Sequence, residues 1–345
     1  MNYMRQEILQ QPDIIANLLN NEKKRLFNIA QEVMKRNPKF MVIVARGTSD
    51  NAARYAKYLF GTHLGLQVAL ATPSVYTLYK KPVNMHDAVV VGISQSGQSE
   101  GAIAVLNEAR KQGAPTIAIT NNPQSLLASN ADYVLETHAG PELSIPATKT
   151  YTSQLTVLAM LGAGFMNDSG MIAELKKVPE LINKVIKAEE NIRELALNYR
   201  YAEFCTVFGR GYNYATAFEI SLKLKETCYL TAEPYSPADY QHGPIALMEE
   251  GSPTIIIAPS GASLDNMIRF TTLLLEHKAS ILMISDSQEA LSIAELPCPL
   301  PPIPAEWISP IVAVVPGQLL ALNLVTAKKL DPDKPRGLKK ITRDE

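Results

Sequence analysis

Two groups of residues in this 345-residue chain have the types and spacing to do chemistry. The first is the run Ser94-Gln-Ser-Gly-Gln-Ser-Glu100, in which three hydroxyls and the flexible Gly97 precede a segment of helical pattern. Backbone N–H groups at a helix start, aided by the helix dipole, stabilise an anion, and hydroxyls replace its water shell; a phosphate suits such a loop. Arg46-Gly-Thr-Ser-Asp50 repeats the theme. Either loop alone is read equally well as ordinary helix capping by Ser, Thr or Asp. Two such loops, each directly after a strand-like run, favour an anion site.

The second group lies on Glu219-Ile-Ser-Leu-Lys-Leu-Lys-Glu226. Glu219, Lys223 and Glu226 stand at i, i+4 and i+7, which places two carboxylates and an ammonium on one helical face. An exposed ladder of ion pairs is the ordinary reading of that spacing. The stretch that follows, Ala232-Glu-Pro-Tyr-Ser-Pro-Ala-Asp-Tyr-Gln-His-Gly-Pro244, points elsewhere: its prolines make a rigid loop that fixes His242, a side chain suited to carrying protons near neutral pH. His63, His86, His138 and His277 have no such setting. Gly92-Ile-Ser-Gln-Ser-Gly97 is not the GxSxG of a nucleophile elbow. No GxxxxGK[ST] occurs, and Gly209-Arg-Gly-Tyr lacks the third glycine of a dinucleotide fingerprint. With no HExxH and no cluster of His and Cys, neither a metal nor a cofactor is expected.

The elements that must position these residues follow from the hydrophobic pattern. After two amphipathic leading helices, short β-branched runs begin at Phe40, Gln67, Ala88, Pro115 and Tyr133, with helical segments over 51–60 and 100–111 between them. Continuous apolar runs alternating with helices predict a buried parallel sheet covered on both faces, an α/β fold. A second series starts at Phe204, Pro253 and Ser280. Arg-Gly recurs at Arg46 and Arg210 and Ser-Gly at Ser96 and Ser260, both at an offset of 164, which predicts a duplicated αβα domain. The expected boundaries are leading helices over 1–36, a first αβα domain over 37–168, a connecting helix over 169–199, a second domain over 200–330 and a tail over 331–345. Helical patterns over 155–166 and 171–199 are expected to bridge the halves. The composition excludes other classes. Lys plus Arg is 33 against 34 Asp plus Glu, so no basic surplus of a nucleic-acid binder is present. Cys205, Cys228 and Cys298 form no CxxC pair and point to a reducing cytoplasm. The sequence predicts neither a signal peptide nor a membrane span, on the expectation that no segment reaches about 18 uncharged apolar residues.

Arg46-Gly-Thr-Ser, Ser94-Gln-Ser-Gly, Ala139-Gly-Pro-Glu with Ala147-Thr-Lys, the 219–226 helix, His242-Gly-Pro and Pro335-Arg-Gly-Leu-Lys-Lys340 together resemble the double sugar isomerase (SIS) domain proteins. The likeness is greatest to the isomerase half of glutamine:fructose-6-phosphate amidotransferases and to type II glucosamine-6-phosphate deaminases. It runs over about residues 25 to 345. It implies two tandem SIS sandwiches, each with a flavodoxin-like parallel sheet. It also implies a sugar-phosphate cradle of Thr48, Ser49, Ser94, Gln95, Ser96 and Ser99, with Ala147 and Glu219 joining the substrate contacts. Glu226 aligns with the base that moves a proton between C1 and C2, and Lys223 with a lysine beside it. His242 aligns with the ring-opening residue, supplied to the other subunit of a homodimer, and Lys340 with a tail lysine able to form a Schiff base. Enolisation calls for a partly buried carboxylate beside C1 and C2, and ring opening for a separate acid/base. Ala147 stands where the amidotransferases usually have serine, and Gln98 where an acid often precedes Ser99. The start Met1-Asn2, in place of an N-terminal cysteine nucleophile, leads to the expectation of no glutaminase. The resulting expectation is conversion of glucosamine 6-phosphate, or a close 6-phospho amino sugar, to fructose 6-phosphate and ammonia. A fructosamine-6-phosphate deglycase, a plain phosphosugar isomerase and a non-catalytic sugar-phosphate binder are the alternatives.

Overall fold

A computed structural model describes residues 2–340. The chain divides into two compact units. One comprises Asp13–Glu142, Lys149–Lys176 and the tail from Lys339; the other comprises the start of the chain through Pro12, Leu143–Thr148 and Lys177–Leu338. They are called the first and the second unit below.

In the first unit the apolar runs form β1 (Phe40–Val44), β2 (Gln67–Leu70), β3 (Ala88–Ile93), β4 (Thr116–Thr120) and β5 (Tyr133–Glu136). All pairings are parallel, in the order β2-β1-β3-β4-β5. Every residue of β3 and β4 is buried, because helices cover both faces and leave no solvated side to alternate toward. Val44 pairs with Gly92, so β1 and β3 end nearly level. The chain runs outward from β1 to β2 and then returns to the opposite side of β1 for β3. This reversal opens a crevice above the carboxyl ends of β1 and β3, the switch point at which such sheets bind ligands.

The second unit repeats the plan with β6 (Phe204–Phe208), β7 (Thr231–Tyr235), β8 (Pro253–Ile257), β9 (Ser280–Ser285) and β10 (Leu296–Pro299), all parallel, in the order β10-β9-β8-β6-β7. Its switch point falls between β6 and β8. Both edge strands contain proline, Pro234 in β7 and Pro297 and Pro299 in β10. Proline is tolerated at a sheet edge, where an N–H is dispensable.

The helix Lys149–Met166 is buried almost throughout and packs within the first unit against Lys23–Met34 and Thr48–Leu64. Two expectations are corrected. The 171–199 segment is three helices, Ser169–Leu175, Val178–Lys187 and Glu189–Leu197. Glu306–Ala327 is in fact long and apolar enough to cross a membrane, with a mean hydropathy of 1.8, but 94% of that stretch is buried inside the protein. There it is the central packing element of the second unit, against Tyr214–Cys228, Glu189–Leu197 and Val178–Lys187. The three cysteines are free and buried. Burial raises the thiol pKa of Cys228 to about 11 and of Cys298 to about 12, and that of Cys205 further still. The helix Tyr3–Asn21 begins on a side chain from the far end of the chain: the Asp333 carboxylate accepts the N–H groups of Tyr3 at 2.7 Å and Met4 at 3.1 Å.

Candidate active site

The first crevice is built by the loops after β1 and β3. Beyond β3, Ser94 continues the ladder through its N–H to the Ile119 carbonyl, and its Oγ accepts the N–H of Gly97 at 3.2 Å. The Gln95 carbonyl accepts from Asn121 N and from Thr120 Oγ1, and the Gly97 carbonyl accepts from Leu127 N. The loop is thereby fastened to β4 and the turn after it. Gly97 has φ +66°, and a Cβ there would lie 2.0 Å from Ser125 Oγ. Only glycine supplies both that backbone conformation and that closeness. Ser96 Oγ accepts the Gln98 N–H at 3.3 Å, and Ser99 leads into the helix Glu100–Lys111.

Capping can be weighed against anion binding here. Ser125, Asp168, Ser236 and Ser287 each accept an N–H from the helix they start, as ordinary N-caps do. Ser99 occupies the cap position with an extended backbone, yet its side chain makes no cap bond. The helix Thr48–Leu64 starts from Gly47, which has no side chain to cap with. Neither helix facing the crevice has a side-chain cap, a feature shared with Lys23–Met34, Val178–Lys187 and Tyr214–Cys228. At Thr48–Leu64 the Ser49 and Asp50 N–H groups donate to the Arg46 carbonyl, and an anion draws on the first-turn N–H groups that such helix starts leave uncapped. Thr48 is half-buried. Ser49 is buried, and its Oγ accepts from Gln154 Nε2 at 3.0 Å; a hydroxyl that accepts one bond keeps a proton to donate.

A residue that received no role from the sequence stands out in this unit. The Glu142 carboxylate is wholly buried and accepts from Thr150 Oγ1 at 2.7 Å, Thr150 N at 3.2 Å and Lys340 Nζ at 3.0 Å. The expected Schiff-base lysine is thus held by a buried counter-charge. Nearby, Lys149 Nζ donates to the Pro141 carbonyl at 2.7 Å. The available signal was the motif Ala139-Gly-Pro-Glu, an acid in a Gly-Pro turn ahead of a helix. Ala147 is half-buried and, as an alanine, has only backbone polar atoms to offer a substrate.

In the second unit the helix Tyr214–Cys228 carries the charged face, and that face is not solvated. The Glu219 and Lys223 side chains are 0% and 1% exposed, Glu226 22%. Lys223 Nζ lies 2.6 Å from Glu226 Oε2 and 3.4 Å from Glu219 Oε1, so one ammonium serves two carboxylates and only Glu226 reaches toward solvent. The exposed-ladder reading is overturned, because this helix packs on Ser309–Ala327.

His242 is exposed, and among the described residues its ring takes no hydrogen bond or ion pair. The expected rigid loop before it resolves into β7, a Ser236-capped helical turn (Pro237–Gln241) and a Gly243 turn at φ +145°. Tyr240, two residues earlier, is buried against Phe208 with ring centroids 4.8 Å apart and against Tyr235 at 5.1 Å. An aromatic cluster therefore anchors the turn that presents the imidazole. Among the described residues no group of three His, Cys, Asp or Glu is placed to hold a metal ion.

The SIS domain model matches residues 34–163 and 202–327, one match over each sheet. The chain belongs to the SIS domain family. The chain is similar to the glutamine–fructose-6-phosphate aminotransferase (isomerizing) of Thermococcus kodakarensis, 37% identical over 98% of this chain. The chain spans 57% of that relative's length. Among solved structures, the C-terminal domain of glucosamine-fructose-6-phosphate aminotransferase from Francisella tularensis superposes with a TM-score of 0.85 at 26% identity, covering 97% of this chain and 98% of that one. Glucosamine-6-phosphate deaminase from Thermotoga maritima shares the fold, with a TM-score of 0.79 at 21% identity, covering 98% of this chain and 99% of that one.

Proposed function

We propose that this SIS protein is a phosphosugar isomerase/deaminase that converts glucosamine 6-phosphate, or a close 6-phospho amino sugar, to fructose 6-phosphate and ammonia in the cytoplasm. The phosphate sits in the serine crevice of the first unit, on hydroxyls and first-turn N–H groups. In this reading the protein is a homodimer, with His242 contributed to the partner's site. His242 opens the ring by moving the proton between O1 and O5. Glu226 then takes the proton from C2 of the open-chain amino aldose and returns it to C1, leaving an imine at C2. Lys340, through its amine, displaces ammonia at C2 to form a Schiff base, and water releases the ketose; as an ammonium it stabilises the enolate-like intermediate instead. Glu142 positions Lys340, and Lys223 positions Glu226.

The observation that carries this reading is the buried Glu219–Lys223 pair with Glu226 at its solvent edge. Removing a charge pair from water costs about as much as, or more than, the mutual attraction returns, so the arrangement is a poor device for stability. A pure sugar-phosphate binder needs the serine loops alone. Incubation with glucosamine 6-phosphate, followed by assay of ammonia and fructose 6-phosphate, tests the proposal; no turnover with any 6-phospho amino sugar overturns it. The same panel, extended to fructosamine 6-phosphates and unsubstituted phosphosugars, separates a deglycase or plain isomerase from a deaminase.

A further inference from the structure

Among the described residues three glutamines are buried, Gln11, Gln154 and Gln318, and two of them spend their amides on the scaffold. Gln11 Nε2 donates to the Ile8 carbonyl at 3.0 Å and to Gln318 Oε1 at 2.9 Å, and Gln318 Nε2 donates to the Thr148 carbonyl at 3.4 Å. Gln154 is used differently. It lies on the helix Lys149–Met166, 1% exposed, and its Nε2 donates to Ser49 Oγ at 3.0 Å. Neighbouring hydroxyls of that helix turn back on its own backbone, Thr152 Oγ1 to the Lys149 carbonyl and Thr156 Oγ1 to the Thr152 carbonyl. The Gln154 amide leaves its helix and meets the first turn of Thr48–Leu64, the helix that follows β1 into the phosphate crevice.

Two features give this bond a purpose beyond packing. The amide is only half satisfied: Gln154 Oε1 is buried and, among the described residues, meets no hydrogen-bond donor. A buried carbonyl without a partner is costly, so an apolar side chain of the same length would serve stability better. The bond also has a direction. Ser49 Oγ accepts from Gln154 and, among the described residues, donates to nothing, so its proton remains available. A hydroxyl that accepts one hydrogen bond is the stronger donor for it.

We propose that Gln154 is a positioning residue of the phosphate crevice: by donating to Ser49 Oγ it fixes the polarity of that hydroxyl, so that Ser49 presents its proton to the substrate phosphate. Gln154 acts through Ser49 and not on the anion. Without the amide, the Ser49 proton is free to bond back to a carbonyl of the preceding turn, as helical serines do. The place of the phosphate rests on the proposed function; the Gln154–Ser49 bond does not.

The test is calorimetric titration of inorganic phosphate into the full chain and into Ser49→Ala, Gln154→Met, Gln154→Glu and the double variant Ser49→Ala/Gln154→Met. Gln154→Met keeps the length of the side chain without its amide and should weaken phosphate roughly fivefold, the scale of one neutral hydrogen bond; Ser49→Ala should weaken it roughly tenfold. In the Ser49→Ala background Gln154→Met should cost no more than about twofold, because the only route from Gln154 to the anion is that hydroxyl. Gln154→Glu places a carboxylate that takes the Ser49 proton, and phosphate should weaken by about a hundredfold, a charge-assisted hydrogen bond turned the wrong way. In turnover of the sugar phosphate, Gln154→Met should raise KM by a factor like that for phosphate and change kcat far less, the split expected of a binding contact. An equal loss of phosphate affinity with and without Ser49 overturns the proposal, as does a Gln154→Met or Gln154→Glu chain that binds phosphate as tightly as the unmodified one. Should Gln154→Met fail to fold, Gln154→Leu takes its place in the same cycle. An unmodified chain that binds no phosphate overturns the crevice itself, and this proposal with it; phosphate binding that ignores Gln154 overturns this proposal alone.

Discussion

The two sheets share strand order, parallel pairing and switch point, and each crevice loop turns on a glycine at the matched position, Gly97 or Gly261. What fills the crevices differs. In the first unit three serines line a loop whose helix start lacks a side-chain cap; in the second a carboxylate from the same chain occupies the corresponding place. The charged face differs as well: the helix after β6 buries Glu219 and Lys223 and leaves Glu226 at their solvent edge, whereas the helix after β1 carries its own pair, Asp50 and Arg54, half-exposed at 3.0 Å. The two copies share the backbone plan, and their side chains have diverged in what they place at each crevice and on each charged face.

The comparison can be broken most decisively at Glu226. Glu226→Gln should lower turnover by about a thousandfold, within the range of general acid–base catalysis, while 6-phosphosugar binding measured by calorimetry is retained. Normal turnover in that variant would remove the second unit from the chemistry. Lys223→Met removes the ammonium that the buried Glu219 and the partly exposed Glu226 share, and chemical denaturation should report a loss of about 3–5 kcal/mol. In the first unit, Gly97→Ala forces a left-handed backbone and a clash on Ser125. Its strain, about 1–3 kcal/mol, should appear in thermal melts together with weakened phosphate binding. The finest test sets two serines side by side. Ser125→Ala removes a working cap and should cost about 1 kcal/mol of stability. Ser99→Ala removes none, so its melting temperature should stay put while the Michaelis constant for the sugar phosphate rises roughly tenfold, the scale of one hydrogen bond to a charged group. Equal stability losses at Ser99 and Ser125 would make both of them caps.

Much of this was legible before any coordinates. Continuous β-branched runs announce strands covered on both faces, and the 164-residue offset announces their duplication. The edge strands β7 and β10 were not legible, because their internal prolines mask a strand even though a sheet edge tolerates them. The burial of the Glu219 face was hidden for another reason: i, i+4, i+7 spacing is the same on a solvated helix and on one covered by Ser309–Ala327. That covering helix was itself underestimated, since a core element can be as apolar as a membrane span. The Glu142–Lys340 pair joins residues 198 apart in sequence, which no local pattern could connect. The serine loops were easiest to find and hardest to interpret, because capping and anion binding use the same residue types.

The bond between Asp333 and the first helix gives the amino end of the chain a hold on its carboxyl end. Asp333 lies seven residues before Lys340, and it is fastened by the N–H groups of Tyr3 and Met4. Any polypeptide spliced ahead of Tyr3 therefore emerges at the root of the segment that bears the tail lysine. For gene fusion or tagging, an addition at the amino terminus therefore meets Asp333 before anything else in the carboxyl-terminal segment.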